Sequence, residues 1–198
     1  MPTDKNDFKK RRAAVRELDL KGAVAGYLDE AQRLVEDFPM HGASWMELGV
    51  ALRNVGRYDE ALKALNKCAR LRKPKYLPLT YALKGQLFQS KGNYRLAEQW
   101  YRRAIEIEPG GADWWALLGV VVRMQGRSSE AKKIWRKQIK LDTGATDEGH
   151  YFLGLLYRAE QKYSLALRHA EKALALDPKY LEAKALRDDV LDAMENSV

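Results

Sequence analysis

A spacing pattern returns four times along this chain of 198 residues: a large side chain, a Gly four places on, and an Ala twelve beyond the Gly. It reads Trp45, Gly49 and Ala61; Tyr81, Gly85 and Ala97; Trp115, Gly119 and Ala131; His150, Gly154 and Ala166. The Gly residues stand 36, 34 and 35 places apart. Self-similarity at such a period marks supersecondary units that cannot bury an apolar face alone and must stack on their neighbours. The pattern therefore predicts a single repeat domain rather than one or two ordinary globules.

Within each unit the apolar spacing is helical. Trp45, Leu48, Gly49 and Leu52 fall at i, i+3, i+4 and i+7 and share one face of a first helix. Gly56-Arg57, Gly92-Asn93, Gly126-Arg127 and, without its glycine, Gln161-Lys162 then mark turns. A second helix follows through Ala61-Leu65-Cys68, Ala97-Tyr101-Ala104, Ala131-Trp135 and Ala166-Ala170-Ala173. Gly and Ala belong where two helices joined by a short turn cross closely. Pro74, Pro109 and Pro178 end second helices because proline cannot continue them, and the 143–147 stretch is expected to end the remaining one.

These residues resemble the tetratricopeptide repeat family, whose pattern of Trp, Leu-Gly, Tyr, Ala, Phe and Pro runs over about 34 residues. The resemblance is tightest in segments 99–109 and 170–178. It implies an all-α, right-handed α-solenoid of stacked helical hairpins with a C-terminal capping helix. The expected organisation is a basic N-terminal stretch at 1–7, a degenerate first hairpin at 8–41, repeats at 42–77, 78–111, 112–146 and 147–179, and a capping helix with its tail at 180–198. In the first hairpin Val15, Gly22, Tyr27, Ala31, Leu34 and Pro39 occupy the repeat slots, and Tyr27 stands where the family has a small residue, which argues against close packing there. In segment 180–194 Lys184, Arg187 and Asp188 suit a polar cap that stops further stacking.

The resemblance also implies a concave groove, lined by the first helices, that receives a peptide or a helix. The slots three before, one after and four after each Gly form a line up one helix face. They hold Met46, Val50 and Arg53; Ala82, Gln86 and Gln89; Ala116, Val120 and Arg123; Tyr151, Leu155 and Arg158. An apolar floor edged by Arg would favour a partly apolar ligand carrying carboxylates, which Arg grips through paired hydrogen bonds. The competing reading is that these Arg residues are merely solvated. The carboxylate clamp known in this family needs Lys and Asn in the first two slots, and Met46/Val50, Ala82/Gln86 and Ala116/Val120 do not supply them.

Other functions find less support. Net charge is +8, with basic clusters at Lys9 to Arg12, at Lys67, Arg70, Arg72, Lys73 and Lys75, and at Lys132, Lys133, Arg136, Lys137 and Lys140. These make nucleic acid a rival partner, although interleaved Glu98, Glu106, Glu108 and Glu130 resemble an ordinary charged helix exterior. Self-association through the last helix or the first hairpin is a third alternative. The sequence suggests no catalytic centre, cofactor or metal site: Cys68 is the only cysteine and fits a helix stripe, His150 sits in a core ring slot, and phosphate-loop, nucleophile-elbow and HExxH spacings are absent. Trp45, Tyr81, Trp115, Tyr101 and Trp135 fall in core slots, whereas Trp100 and Trp114 are candidates for partial exposure. The longest apolar run, Trp114 to Val122, is too short for a bilayer span of roughly 20 residues. The polar N-terminus does not resemble a secretory signal, so a cytoplasmic scaffold or adaptor is expected.

Overall fold

The computed structural model describes residues 5–141 and 146–196, apart from the Ala112 side chain. Among them are only helices and turns: α1 (Lys5–Leu20), α2 (Val24–Asp37), α3 (Gly42–Asn54), α4 (Tyr58–Leu71), a 3-10 turn at Pro74–Tyr76, α5 (Leu77–Ser90), α6 (Tyr94–Ile107), α7 (Ala112–Met124), α8 (Ser128–Leu141), α9 (Thr146–Ala159), α10 (Tyr163–Leu176) and α11 (Leu181–Glu195). Where the repeat predicted one domain, the chain divides into two compact units, Met1–Ile107 and Glu108–Val198. The division falls beside Pro109, Gly110 and Gly111, residues that cannot extend α6.

In the first unit, consecutive helices pack as antiparallel hairpins, and each hairpin leans on the next. One apolar cluster gathers Val15, Tyr27, Ala31, Leu34, Phe38 and Ala51, and another gathers Leu52, Ala61, Ala64, Leu65 and Leu87. Tyr27 is only 1% exposed. Its ring packs in the first of these clusters despite replacing a small residue, and its buried hydroxyl is satisfied by donating to the Glu47 carboxylate at 3.2 Å in the following hairpin. Arg12 donates to the same carboxylate at 2.7 Å. Burial is the main cause that pushes the Tyr27 phenol above its ordinary range, with the Glu47 charge adding to it.

The second unit repeats the plan through α7 to α10 and closes with α11, which packs on α9 and α10. Ala183, Leu186 and Val190 face inward from α11, while Lys184 and Asp188 are exposed. The cap is therefore amphipathic, with its polar face turned to water. The expectation that segment 143–147 ends α8 is corrected in part: α8 ends at Leu141, Thr146 and Asp147 already belong to the first turn of α9, and residues 143–145 lie outside the described residues.

The hairpin turns share one device. At Gly56, φ is 76°; its amide donates to the Arg53 carbonyl at 3.0 Å, and the next amide, Arg57, donates to Leu52 at 2.9 Å. This left-handed closure satisfies carbonyls at the helix end. Gln161 makes the same pair of bonds, to Arg158 and through Lys162 to Tyr157, with φ at 58° and no glycine to ease it. The close helix crossings also appear where the repeat placed them. A Cβ on Gly119 would stand 2.2 Å from Trp135 Nε1, and one on Gly85 would stand 2.6 Å from Tyr101.

Two of the rings assigned to the core are not enclosed. Tyr101 and Trp135 are fully buried and Trp115 nearly so, whereas Trp45 and Tyr81 are only half-buried. Their slot lies at the rim of the hairpin, and Tyr81 stays half-buried although Trp100 of the second helix packs against its ring.

Candidate peptide-binding surface

The slots expected to line a groove divide between the two units. In the first, α3 carries Met46, Val50 and Arg53, and α5 carries Ala82, Gln86 and Gln89. Met46 is 5% exposed and Ala82 is buried, so these two support the surface from beneath. Val50, Arg53, Gln86 and Gln89 are half-buried and form its accessible part. The Arg53 guanidinium donates to the Gln86 side-chain carbonyl and to Asn54 Oδ1. The Tyr101 hydroxyl donates to Gln89 Oε1 at 2.9 Å. The side chains on neighbouring helices are thus held by one another, which lowers the entropy lost when a ligand orders them.

In the second unit, Ala116 is buried, Val120 half-buried and Arg123 exposed on α7. On α9, Tyr151 is half-buried and Leu155 is 37% exposed. Tyr151 stacks obliquely on Tyr180, with ring centroids 5.1 Å apart, and burial raises both phenols above their ordinary range. Arg158 is not a free carboxylate receptor. It holds Asp189 of α11 by two bonds, at 2.7 and 3.2 Å. The three Arg residues that look alike in the sequence therefore have different environments: Arg53 meets neutral amides, Arg158 meets a carboxylate, and exposed Arg123 reaches the Met124 sulfur. The Arg158 pairing crosses 31 residues, and nothing in the repeat spacing signals it.

Members of the first and third basic clusters are likewise drawn into internal contacts. Arg11 pairs with Asp37 and Arg12 with Glu47. Lys132 pairs with Glu160, Arg136 donates to the Tyr157 hydroxyl, and Lys137 lies over the Trp115 ring. Several of the cations that would supply a phosphate-tracking stripe are thereby engaged within the chain.

The groups with chemical potential have structural surroundings. Cys68 is fully buried against Thr80, with Sγ and Oγ1 3.4 Å apart, and burial pushes its thiol up, away from the reactive thiolate. His150 and His169 face each other with their Nδ1 atoms 2.9 Å apart. Burial, followed by the neighbouring His150, holds the His169 imidazole down at about 4. Among the described residues no group of three His, Cys, Asp or Glu side chains could hold a metal ion, and no helix is long and apolar enough to cross a membrane. Trp100 is half-buried between Lys84 and Arg103, and Trp114 donates to Glu108 Oε2 at 3.1 Å.

Comparison with known proteins agrees with this architecture. Two tetratricopeptide repeat family models match the chain, at residues 41–109 and 147–180. Protein O-mannosyl-transferase TMTC1 of Homo sapiens is 28% identical over 146 residues, covering 70% of this chain and 15% of that protein. Anaphase-promoting complex subunit 3 of Schizosaccharomyces pombe is 24% identical over 171 residues, covering 86% of this chain and 25% of that one. The chain thus spans about a quarter or less of these relatives. Among solved structures, TTC0263, a thermophilic TPR protein in Thermus thermophilus, superposes with a TM-score of 0.75 at 19% identity, over 93% of this chain and 98% of that one. YrrB, described as a TPR protein with an unusual peptide-binding site, superposes at 0.59 and 17% identity, covering 90% of each chain. The recurring Gly and Ala, the stacked hairpins and the two family matches together establish that the chain belongs to the tetratricopeptide repeat family.

Proposed function

We propose that this chain is a non-catalytic, cytoplasmic interaction scaffold that receives an extended peptide or a helix of another protein against the first helices of its hairpins. The observation that carries this reading is the bonded surface of the first unit, where Arg53 on α3 holds Gln86 on α5 and Gln89 is held by Tyr101. A preordered surface of half-buried apolar and amide groups suits peptide recognition, because amide side chains bond a ligand backbone while Val50 offers apolar contact. In the second unit Val120 and Leu155 offer the apolar contact and Arg123 the positive charge. Arg158, already paired with Asp189, contributes its charge to the cap. Each unit is thus expected to favour an acidic, partly apolar segment, with Arg53 as a donor on the first unit and Arg123 as the ionic contact on the second.

The test is to recover the copurifying partner from the native cell, to map the bound segment by cross-linking, and to titrate it with the Arg53→Glu, Arg123→Glu double variant. Reversing two charges against an acidic ligand is expected to weaken binding roughly tenfold, with a smaller loss at high salt. Unchanged affinity, or cross-links confined to the second helices of the hairpins, would refute this reading.

A further inference from the structure

The slot fifteen residues after each repeat Gly lies on the second helix, and its occupant differs in one hairpin from the other three. It holds Ala64, Trp100, Ile134 and His169 in chain order. Trp100 packs on the first-helix ring Tyr81, with centroids 5.4 Å apart, beneath Lys84 at 4.3 Å and Arg103 at 4.7 Å. Ile134 is buried in the α7/α8 hairpin, and Lys137 covers the Trp115 ring at 4.5 Å. His169 meets the His150 ring at 5.1 Å. In each of these hairpins a large side chain or a cation from the second helix packs against the ring of the first.

Ala64 is too short to do the same for Trp45. A cleft of about 480 Å³ opens there between α3 and α4, floored by Trp45, Leu48, Leu52 and Ala64, and its size is within the range of ligand sites. Its basic rim is Lys63, Lys67 and Arg70, beside one carboxylate, Glu60. That carboxylate is held by Nε and Nη2 of the Arg57 guanidinium, at 2.7 and 2.6 Å. Among the described residues none of the three rim cations has an ion-pair partner, and the Trp45 indole N–H donates to the Pro39 carbonyl at 2.7 Å while its side chain lines the cleft. The site therefore offers a half-buried ring, an apolar floor and three cations, of which Lys63 stands within electrostatic reach of Glu60.

We infer that the α3/α4 cleft is a second docking site, separate from the first-helix surface, which takes an aromatic side chain of an acidic segment from a partner protein. The bound ring packs against Trp45 as Trp100 packs against Tyr81 in the next hairpin. Lys67, in the slot where Arg103 lies over Trp100, caps the bound ring, and Lys63 and Arg70 meet carboxylates on either side of it. Aromatic stacking beneath a cation and charge complementarity at the rim act together.

The experiment uses the full chain and a fluorescein-labelled peptide, Glu-Glu-Ala-Trp-Glu-Glu, with a counterpart in which the Trp is Ala, followed by fluorescence polarisation. The wild-type chain is expected to bind the Trp peptide about tenfold or more tightly than the Ala peptide. Ala64→Trp fills the cleft with the side chain that the next hairpin already accommodates and should lower affinity by a similar factor. Lys67→Glu, a surface change that leaves the core intact, should lower it several-fold and flatten its salt dependence. The Arg53→Glu, Arg123→Glu variant should keep the preference for the Trp peptide over the Ala peptide, which separates this site from the first-helix surface. Equal binding of the two peptides, unchanged affinity in Ala64→Trp, or loss only in the Arg double variant would overturn the inference. A wild-type dimer in sedimentation that Ala64→Trp converts to monomer would overturn it too, by assigning the cleft to a second copy of the chain.

Discussion

Alanine placed at each of the four repeat glycines tests whether glycine recurs at that slot because of close approach. The substitution gains about 1 kcal/mol of helix propensity at every position, so differences among the four must come from what the new Cβ meets. At Gly119 it would stand 2.2 Å from Trp135 Nε1 and 2.4 Å from Cε2. That indole is rigid, fully buried and bonded to the Ala116 carbonyl at 3.2 Å. Displacing it costs about 3 kcal/mol of overpacking and roughly 1 kcal/mol of hydrogen bonding. The net loss is about 3 kcal/mol, a fall in melting temperature of roughly 6–12 °C. At Gly85 the obstacle is the buried Tyr101 ring at 2.6 Å, and at Gly49 it is Leu65 at 2.8 Å, for net losses of about 2 and 1 kcal/mol. At Gly154 the nearest atom is the far end of the Leu186 side chain at 2.9 Å, which can turn aside, so the net change is near zero. Thermal unfolding followed by circular dichroism gives the order, and hydrogen exchange in α7 and α8 localises the Gly119 effect within an array that need not melt in one step. Equal losses at the four positions, or the greatest loss at Gly154, would refute the reasoning.

Gln161→Gly should stabilise the α9/α10 hairpin by about 0.5–1 kcal/mol, because a side chain pays to adopt the left-handed conformation that glycine reaches freely; denaturation midpoints check this, and destabilisation would contradict it. Acid should loosen the second unit through His169. Its folded-state imidazole is depressed to about 4 by burial and by His150, with Lys172, Arg168 and Arg136 adding to the positive field, whereas an unfolded His titrates near 6.5. The stabilisation is complete above pH 6.5 and is lost as pH falls toward 4, a change of order 2 kcal/mol. His169→Leu should flatten that window in a pH series of melting temperatures, and an unchanged slope would count against the assignment.

Much of the architecture was legible because a repeat advertises itself through periodicity. The 3.6-residue spacing of Trp45, Leu48, Gly49 and Leu52 marks a helix whatever lies beside it, and the Gly and Ala slots mark where helices cross. The surface was legible as a set of helix faces, but the character of its residues was not. Met46 occupies the same slot as Tyr151 yet lies buried, and Arg158 looks like Arg123 yet is held by Asp189. The close packing of Tyr27 was hidden for the same reason, since Glu47, the partner that accepts its hydroxyl, belongs to the next hairpin.

By itself, then, the sequence determined the helical hairpins, their turns and their order, because these depend on local conformational preference and on spacing along one helix. Only the tertiary structure decided the division at Ile107 and Glu108, the left-handed Gln161, the cap pairing at Arg158, and the opening of one cleft beside Trp45. Those features depend on which side chains from separate helices reach one another and how much space they leave, and a one-dimensional period carries neither distance nor volume.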